Sequence, residues 1–208
     1  EAVAHTKKPV LLSSGMSSWK ELDCAVEAIQ KTHNNITILQ CTSNYPCDYE
    51  DVGLNVMQQI KDRYDLPFGL SDHTLTNYSC FAAICLGASV IEKHLTFSQK
   101  MYGSDARHSI EPHMFKDLTE GIKAIRLMLS SKVDKDEMSK KMNEMKHVFQ
   151  KSIVSKIHIP KDTIITQDMV AFKKPGNGIP ASEYLSVVGK VVNKTIDKDT
   201  LISKEDLK

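Results

Sequence analysis

The sequence has no surplus of charge of either sign: 27 Lys and Arg stand against 26 Asp and Glu, a formal net of +1. So weak a field draws no polyanion, and neither nucleic acid nor an anionic membrane is expected as a partner. Long apolar runs are missing too. The longest charge-free stretch with real apolar content runs from Thr74 to Ile91 and is interrupted by Thr76, Asn77, Ser79 and Ser89. A membrane-crossing helix needs about 20 mostly apolar residues, so none is expected. No basic-then-apolar signal segment follows Glu1, and the chain reads as one that has been processed or cut from something longer. Its five cysteines, Cys24, Cys41, Cys47, Cys80 and Cys85, are odd in number and lack paired short spacings. That pattern suits reduced thiols in a cytoplasmic protein and argues against a disulfide framework or a cysteine zinc site.

What is present belongs to an ordinary folded protein. With 41% hydrophobic and 25% charged residues, a disordered, collagenous or coiled-coil chain is excluded, and 208 residues allow one or two domains. A short apolar run, Pro9 to Ser14, precedes Trp19, Leu22, Val26 and Ile29 at helical spacing. The alternation recurs with Ile36–Cys41 before a helix over 51–64, Leu66–Ser71 before one over 77–86, and Ala88–His94 before a longer one over 112–130. Four successive βα units at this spacing predict a parallel sheet with right-handed crossovers. Either a doubly wound sheet or part of a (β/α)8 barrel satisfies the pattern. A whole barrel takes roughly 250 residues and eight units, so four would be half of one. All four strands end in polar residues able to do chemistry, which favours a shared barrel mouth. Residues 1–130 are therefore read as a partial barrel and 131–148, rich in Lys, acids and Met, as a solvated linker or exposed helix. Residues 149–208, with short strands read over 152–160, 163–166 and 188–196 and punctuated by Pro160, Pro175, Gly176, Gly178 and Pro180, are read as a second, small β domain.

His73 ends the third strand and His94 the fourth, so adjacent strands can present two imidazoles to one divalent metal. The alternative is that each histidine only caps a buried strand end. Glu92 lies two residues before His94 and, by strand alternation, on the same face, where a carboxylate can orient a ligand or take a proton. Its plainer role is a salt bridge to Lys93 or Arg107. Ser13, Ser14 with Gly15, and Ser71 with Gly69 lie at strand-to-helix turns, positions that hold phosphate or simply cap helices. Asp105 and Arg107 sit in the long loop after the fourth strand.

The segments Leu12-Ser-Ser-Gly-Met16, Gln40-Cys-Thr-Ser-Asn-Tyr-Pro46, Gly69-Leu-Ser-Asp-His-Thr74, Ile91-Glu-Lys-His-Leu-Thr96 and Lys174-Pro-Gly-Asn-Gly178 occur in an order and spacing that resembles the sialic acid synthase family. The resemblance runs from about Lys8 to the C-terminus. It implies the C-terminal half of a (β/α)8 TIM barrel followed by a small β-rich antifreeze-like (SAF, β-clip) domain. It also implies metal-dependent condensation of phosphoenolpyruvate with an N-acetylmannosamine-type aldehyde sugar, giving a nonulosonic acid and phosphate.

Carried over position by position, the resemblance makes His73 and His94 the ligands of Mn2+ or Mg2+ and Glu92 a carboxylate beside them. Ser13, Ser71 and Ser43 become phosphoenolpyruvate contacts, Ser43 standing where some family members carry Asn. Tyr45, Asp105 and Lys174 become sugar contacts, Lys174 standing where bacterial members often have Arg. The implied partners are phosphoenolpyruvate, an N-acetylated amino sugar and a second copy, in a homodimer with exchanged C-terminal domains. The family's first four βα units, with a glutamate and phosphate-binding lysines, have no counterpart in the chain, so it is expected to be inactive alone. Another phosphoenolpyruvate-dependent sugar-acid synthase, or a non-catalytic sugar- or ice-binding module, are the competing readings.

Overall fold

The computed structural model describes residues 1–208, which divide into two compact units, Glu1–Lys132 and Val133–Lys208. In the first, a short helix α1 (Ala2–His5) leads into four strands, β1 (Val10–Ser13), β2 (Ile36–Cys41), β3 (Phe68–Asp72) and β4 (Val90–Lys93). They pair in the order β1-β2-β3-β4, all parallel. Between and after them lie α2 (Trp19–Gln30), α3 (Leu54–Tyr64), α4 (Tyr78–Cys85) and α5 (Pro112–Ser130). Three of these helices start at a local signal. Ser18 and Glu21 form a reciprocal capping box at α2, Gly53 enters α3 at φ +71°, and Pro112 fills the first turn of α5, where a missing N–H costs nothing.

Period-two alternation divides the sheet's side chains between two faces. Val10, Ile36, Ile38, Phe68 and Leu70 face the helices and form the core with Leu22, Val26, Ile29, Met57, Ile60, Ala83 and Ile84. The opposite face carries Ser13, Leu39, Cys41, Ser71 and Glu92. Asp23 clamps α2 to α3: it accepts from Arg63 Nε at 2.7 Å, Arg63 Nη2 at 2.5 Å and Tyr64 Oη at 2.8 Å. The Arg63 hydrogen bonds hold the Asp23 carboxyl down at about 2, and burial with the Asp23 bond pushes the Tyr64 phenol up to about 12.

The second unit starts with two short exposed helices, α6 (Lys135–Lys141) and α7 (Asn143–Phe149). The antiparallel pair β5 (Ser152–Ser155) and β6 (Val170–Lys173) follows. The short strands expected over 152–160, 163–166 and 188–196 reduce to β5 and to single bridges such as Ile159–Ile196, Ile164–Val191 and Val192–Leu207. Pro160 cannot donate to a ladder, and the chain turns through positive φ at Asp162, Gly189 and Asp199. Nine aliphatic side chains, six of them isoleucine, make the core. Buried Ser152 and Ser155 replace missing ladder bonds by donating to the carbonyls of Pro175 and Asp197.

Gly69 has the least room for a side chain among the glycines. A Cβ there would lie 2.2 Å from the Val90 carbonyl oxygen and 2.7 Å from Leu39 Cδ2. Gly69→Ala is accordingly expected to spread β3 from β4 and to cost about 1–3 kcal/mol by overpacking, read from urea unfolding of the chain. An unchanged midpoint would show that the strand pair yields at that point.

Candidate active site

Register turns the four strand ends into rows. Ser13 pairs with Leu39, Leu39 with Gly69 and Gly69 with Val90; one pleat repeat further on, Cys41 pairs with Ser71 and Ser71 with Glu92. Beyond these, just past the ends of β3 and β4, lie His73 and His94, with ring centroids 5.2 Å apart and planes nearly perpendicular. Ser71 Oγ donates to Glu92 Oε1 at 2.6 Å. Glu92 is therefore not the salt-bridge partner of Lys93 or Arg107.

His73 is only 6% exposed, and its Nδ1–H donates to the Thr42 carbonyl at 2.8 Å. A carbonyl can only accept, so neutral His73 holds its proton on Nδ1 and leaves the Nε2 lone pair for a ligand. Tyr45 lies against both imidazoles, at 4.2 Å from His73 and 5.7 Å from His94 between ring centroids. The long loop after β4 folds back along its own start: Ile110 N–H donates to His94 O, and Thr96 N–H donates to Ile110 O. This brings Asp105 Oδ2 to 3.9 Å from His94 Nδ1. Ser71, His73, Glu92, His94, Tyr45 and Asp105 thus converge.

Other expected residues are less engaged. Ser13 and Ser43 are exposed, Ser13 one row below Ser71. Lys174 belongs to the second unit, where its ammonium lies 5.1 Å from the Phe149 ring centroid. A cavity of about 520 Å3 opens between α2 and α3; it shares Cys41, Thr42 and Ser43 with the strand ends but is not lined by either histidine. No group of three or more His, Cys, Asp or Glu is placed to hold a metal ion. Two imidazoles alone would leave the remaining positions on a cation to substrate and water.

Behind the site lies a pair the sequence reading did not single out. Lys93 Nζ and Asp72 Oδ2 are 2.5 Å apart, with side chains 2% and 1% exposed. Asp72 also accepts from Ser79 Oγ at 2.7 Å, Cys80 Sγ at 3.2 Å and Thr74 N–H at 3.1 Å, while Lys93 also donates to Thr74 O. Burial alone would raise the Asp72 pKa, but the Lys93 charge and these hydrogen bonds outweigh it and hold the carboxyl below its ordinary value. Burial, with the Asp72 charge, pushes the Cys80 thiol up to about 12. The clue in the sequence was alternation: Asp72 lies between Ser71 and His73, and Lys93 between Glu92 and His94, so both charges fall on the apolar, helix-facing side.

Four consecutive parallel βα units, with ionisable groups gathered at their C-terminal strand ends, have the arrangement of half a (β/α)8 barrel. Residues 1–134 match the NeuB family and residues 150–208 the SAF domain; the chain belongs to the NeuB family. It is 36% identical over 203 residues to the N,N'-diacetyllegionaminic acid synthase of Campylobacter jejuni, covering 96% of this chain and 60% of the relative. It is 34% identical over 211 residues to the human N-acetylneuraminate-9-phosphate synthase, covering 99% of this chain and 57% of that one. Among solved structures, the N-acetylneuraminic acid (sialic acid) synthetase of Leptospira borgpetersenii in complex with citrate superposes with a TM-score of 0.62 at 30% identity, over 69% of this chain and 52% of that chain. This chain thus spans about 60% of the length of the sequence relatives.

Lys93→Met leaves a buried carboxylate without its counter-charge and is expected to cost about 3–5 kcal/mol at neutral pH. In the wild type the folded Asp72 pKa lies below its ordinary value of 3.8, so its stabilisation is present above pH 3.8 and is lost as pH falls through the folded pKa. In Lys93→Met burial acts unopposed by the lysine, the pKa rises, and protonation relieves the variant. The stability gap between the two proteins should therefore narrow as acid is added through pH 5 to 3, measured by urea unfolding at each pH. A gap independent of pH would show that Asp72 is not the group responsible.

Proposed function

We propose that the protein is a nonulosonic acid synthase that condenses phosphoenolpyruvate with an open-chain N-acetylmannosamine-type aldehyde, releasing phosphate, and that this chain carries half of its site. The observation that carries this reading is the convergence of Ser71, His73, Glu92 and His94 on the open face of the sheet, with the Tyr45 ring tilted against both imidazoles. In the reaction the methylene carbon of the enol phosphate bonds to the aldehyde carbon, water adds at the carbon bearing phosphate, and the carbon–oxygen bond to phosphate breaks. A divalent cation, Mn2+ or Mg2+, held by His73 and His94, supplies charge stabilisation for an oxygen that becomes negative. His73 suits that role because the Thr42 carbonyl fixes its proton on Nδ1 and turns the Nε2 lone pair to a ligand.

Ser71, with Ser13 and Ser43, takes the phosphoenolpyruvate. A hydroxyl has one proton to give, so Ser71 can donate to a phosphate oxygen only by releasing Glu92. Phosphate binding would then free the Glu92 carboxylate, beside His94, to accept a proton or orient water. Tyr45 offers a ring face to the sugar, and Asp105 accepts from a sugar hydroxyl. Lys174 is assigned to the sugar in an intact homodimer with exchanged SAF domains. It brings the charge of an arginine without the planar fork.

The outer edges of β1 and β4 have no strand partner, and four units do not enclose a mouth. Phosphate release from phosphoenolpyruvate with N-acetylmannosamine and Mn2+ is expected to be undetectable with this chain alone. It should appear when the chain is joined to the first four βα units of a family relative. Turnover by the short chain would refute the half-site argument; none in either form, including with diamino-dideoxy sugar acceptors, would favour a non-catalytic sugar-binding role. Separately, His73→Ala and His94→Ala should each lower Mn2+ affinity of the chain at least tenfold by calorimetry, and an unchanged affinity would remove the two histidines from the metal site.

A further inference from the structure

Gln40 is an amide enclosed at the end of β2, only 6% exposed, on the helix side of the sheet and outside the group of residues assigned above. Its Oε1 accepts from Ser14 Oγ at 3.3 Å, and its Nε2 donates to the Val52 carbonyl at 3.3 Å and to Thr42 Oγ1 at 3.4 Å. Ser14 Oγ accepts in turn from the Cys41 N–H at 3.0 Å, and Thr42 Oγ1 donates to Asp51 O at 2.7 Å. One side chain therefore joins the end of β1 to both feet of the loop 42–52.

That loop holds His73 from two sides. Its first carbonyl, Thr42 O, accepts the His73 Nδ1–H, its Cys47 N–H donates to His73 O at 3.0 Å, and Tyr45 covers the ring. Its far side is tied to the next loop by Tyr49 Oη and Thr76 Oγ1 at 3.0 Å. Gly53, at φ +71°, completes the arrangement: a Cβ there would stand 2.6 Å from Gln40 Nε2, in the space the amide occupies. Glutamate at position 40 could not donate to Val52 O, and an aliphatic chain would leave that carbonyl and the Ser14 hydroxyl without their partner.

We infer that Gln40 is a positioning residue for His73, fixing the ring's orientation and its Nδ1–H tautomer by closing the loop whose Thr42 carbonyl receives that proton. The metal consequence rests on the function proposed above; the tautomer does not. The test is Gln40→Met, of similar length and without donors, in the 208-residue chain. Nitrogen-15 spectra of the histidine rings, recorded at pH 8.5 where imidazole is neutral, should show wild-type His73 as the Nδ1–H form and the variant as a mixture, with His158 unmoved. Mn2+ affinity should fall about 10- to 100-fold, the usual effect of losing an outer-shell partner.

His73 retaining its tautomer in a folded Gln40→Met protein would overturn the inference, whatever the metal does. If wild type and variant both fail to bind Mn2+ while the tautomer shifts, the positioning role stands and the metal reading falls. Should Gln40→Met not fold, Ser14→Ala keeps the glutamine but removes the donor to its Oε1. A smaller shift of the same sign at His73 supports the coupling, and no shift overturns it.

Discussion

Asp72 and Lys93 face each other across β3 and β4 with almost none of either side chain in water. Such a pair adds little net stability, because the cost of drying two charges offsets most of their attraction. Its force is in what it forbids. A slip of one residue between the strands would part the charges inside the apolar layer and turn Ser71 and Glu92 away from one another, since each step reverses the face of every side chain. The pair on the helix side and the candidate site on the open side are therefore two readings of a single register, Ser71 with Glu92 and Asp72 with Lys93. Ser79 and Cys80 extend the hold to α4 through the same carboxylate.

A comparable division operates at β2. Its apolar residues Ile36 and Ile38 enter the helix-facing core, and the next residue on that face, Gln40, is polar and fully engaged. Both strands thus end their core row with a buried polar group just where the site begins. Rigid elements carry the site at its base, and hydrogen-bonded loops, 42–52 and 94–110, supply Tyr45 and Asp105 above it. The relatives named above are nonulosonic acid synthases longer than this chain, and the open outer edges of β1 and β4 are where further strands of a barrel would pair.

The elements most legible in the sequence were those whose pattern repeats over many residues. The helix Pro112–Ser130 agrees with its expected bounds, because proline at the start and a long apolar stripe are both local signals. The strands β1 to β4 were equally plain as apolar runs between turns. In the second unit the same reasoning overextended the strands, since a bridge one residue wide has no period to detect. Among the site residues, the histidines and Glu92 could be placed at strand ends from alternation alone. The partner of Glu92 could not: Lys93 is its neighbour in sequence but points through the sheet to Asp72, and the hydroxyl of Ser71 on the next strand takes its place.

By itself the sequence determined the βα period, the faces of each strand and the polar residues that end them, because these follow from spacing along one chain. It also carried the motifs by which the family is recognised. Only the tertiary structure decided which of those ends meet. The Ser71–Glu92 bond, the His73 tautomer held by Thr42, the position of Asp105 near His94 and the enclosure of Gln40 all join residues 10 or more positions apart. Contacts of that kind depend on register and loop closure, which are set when separate segments exclude water from a common core, and no local pattern encodes them.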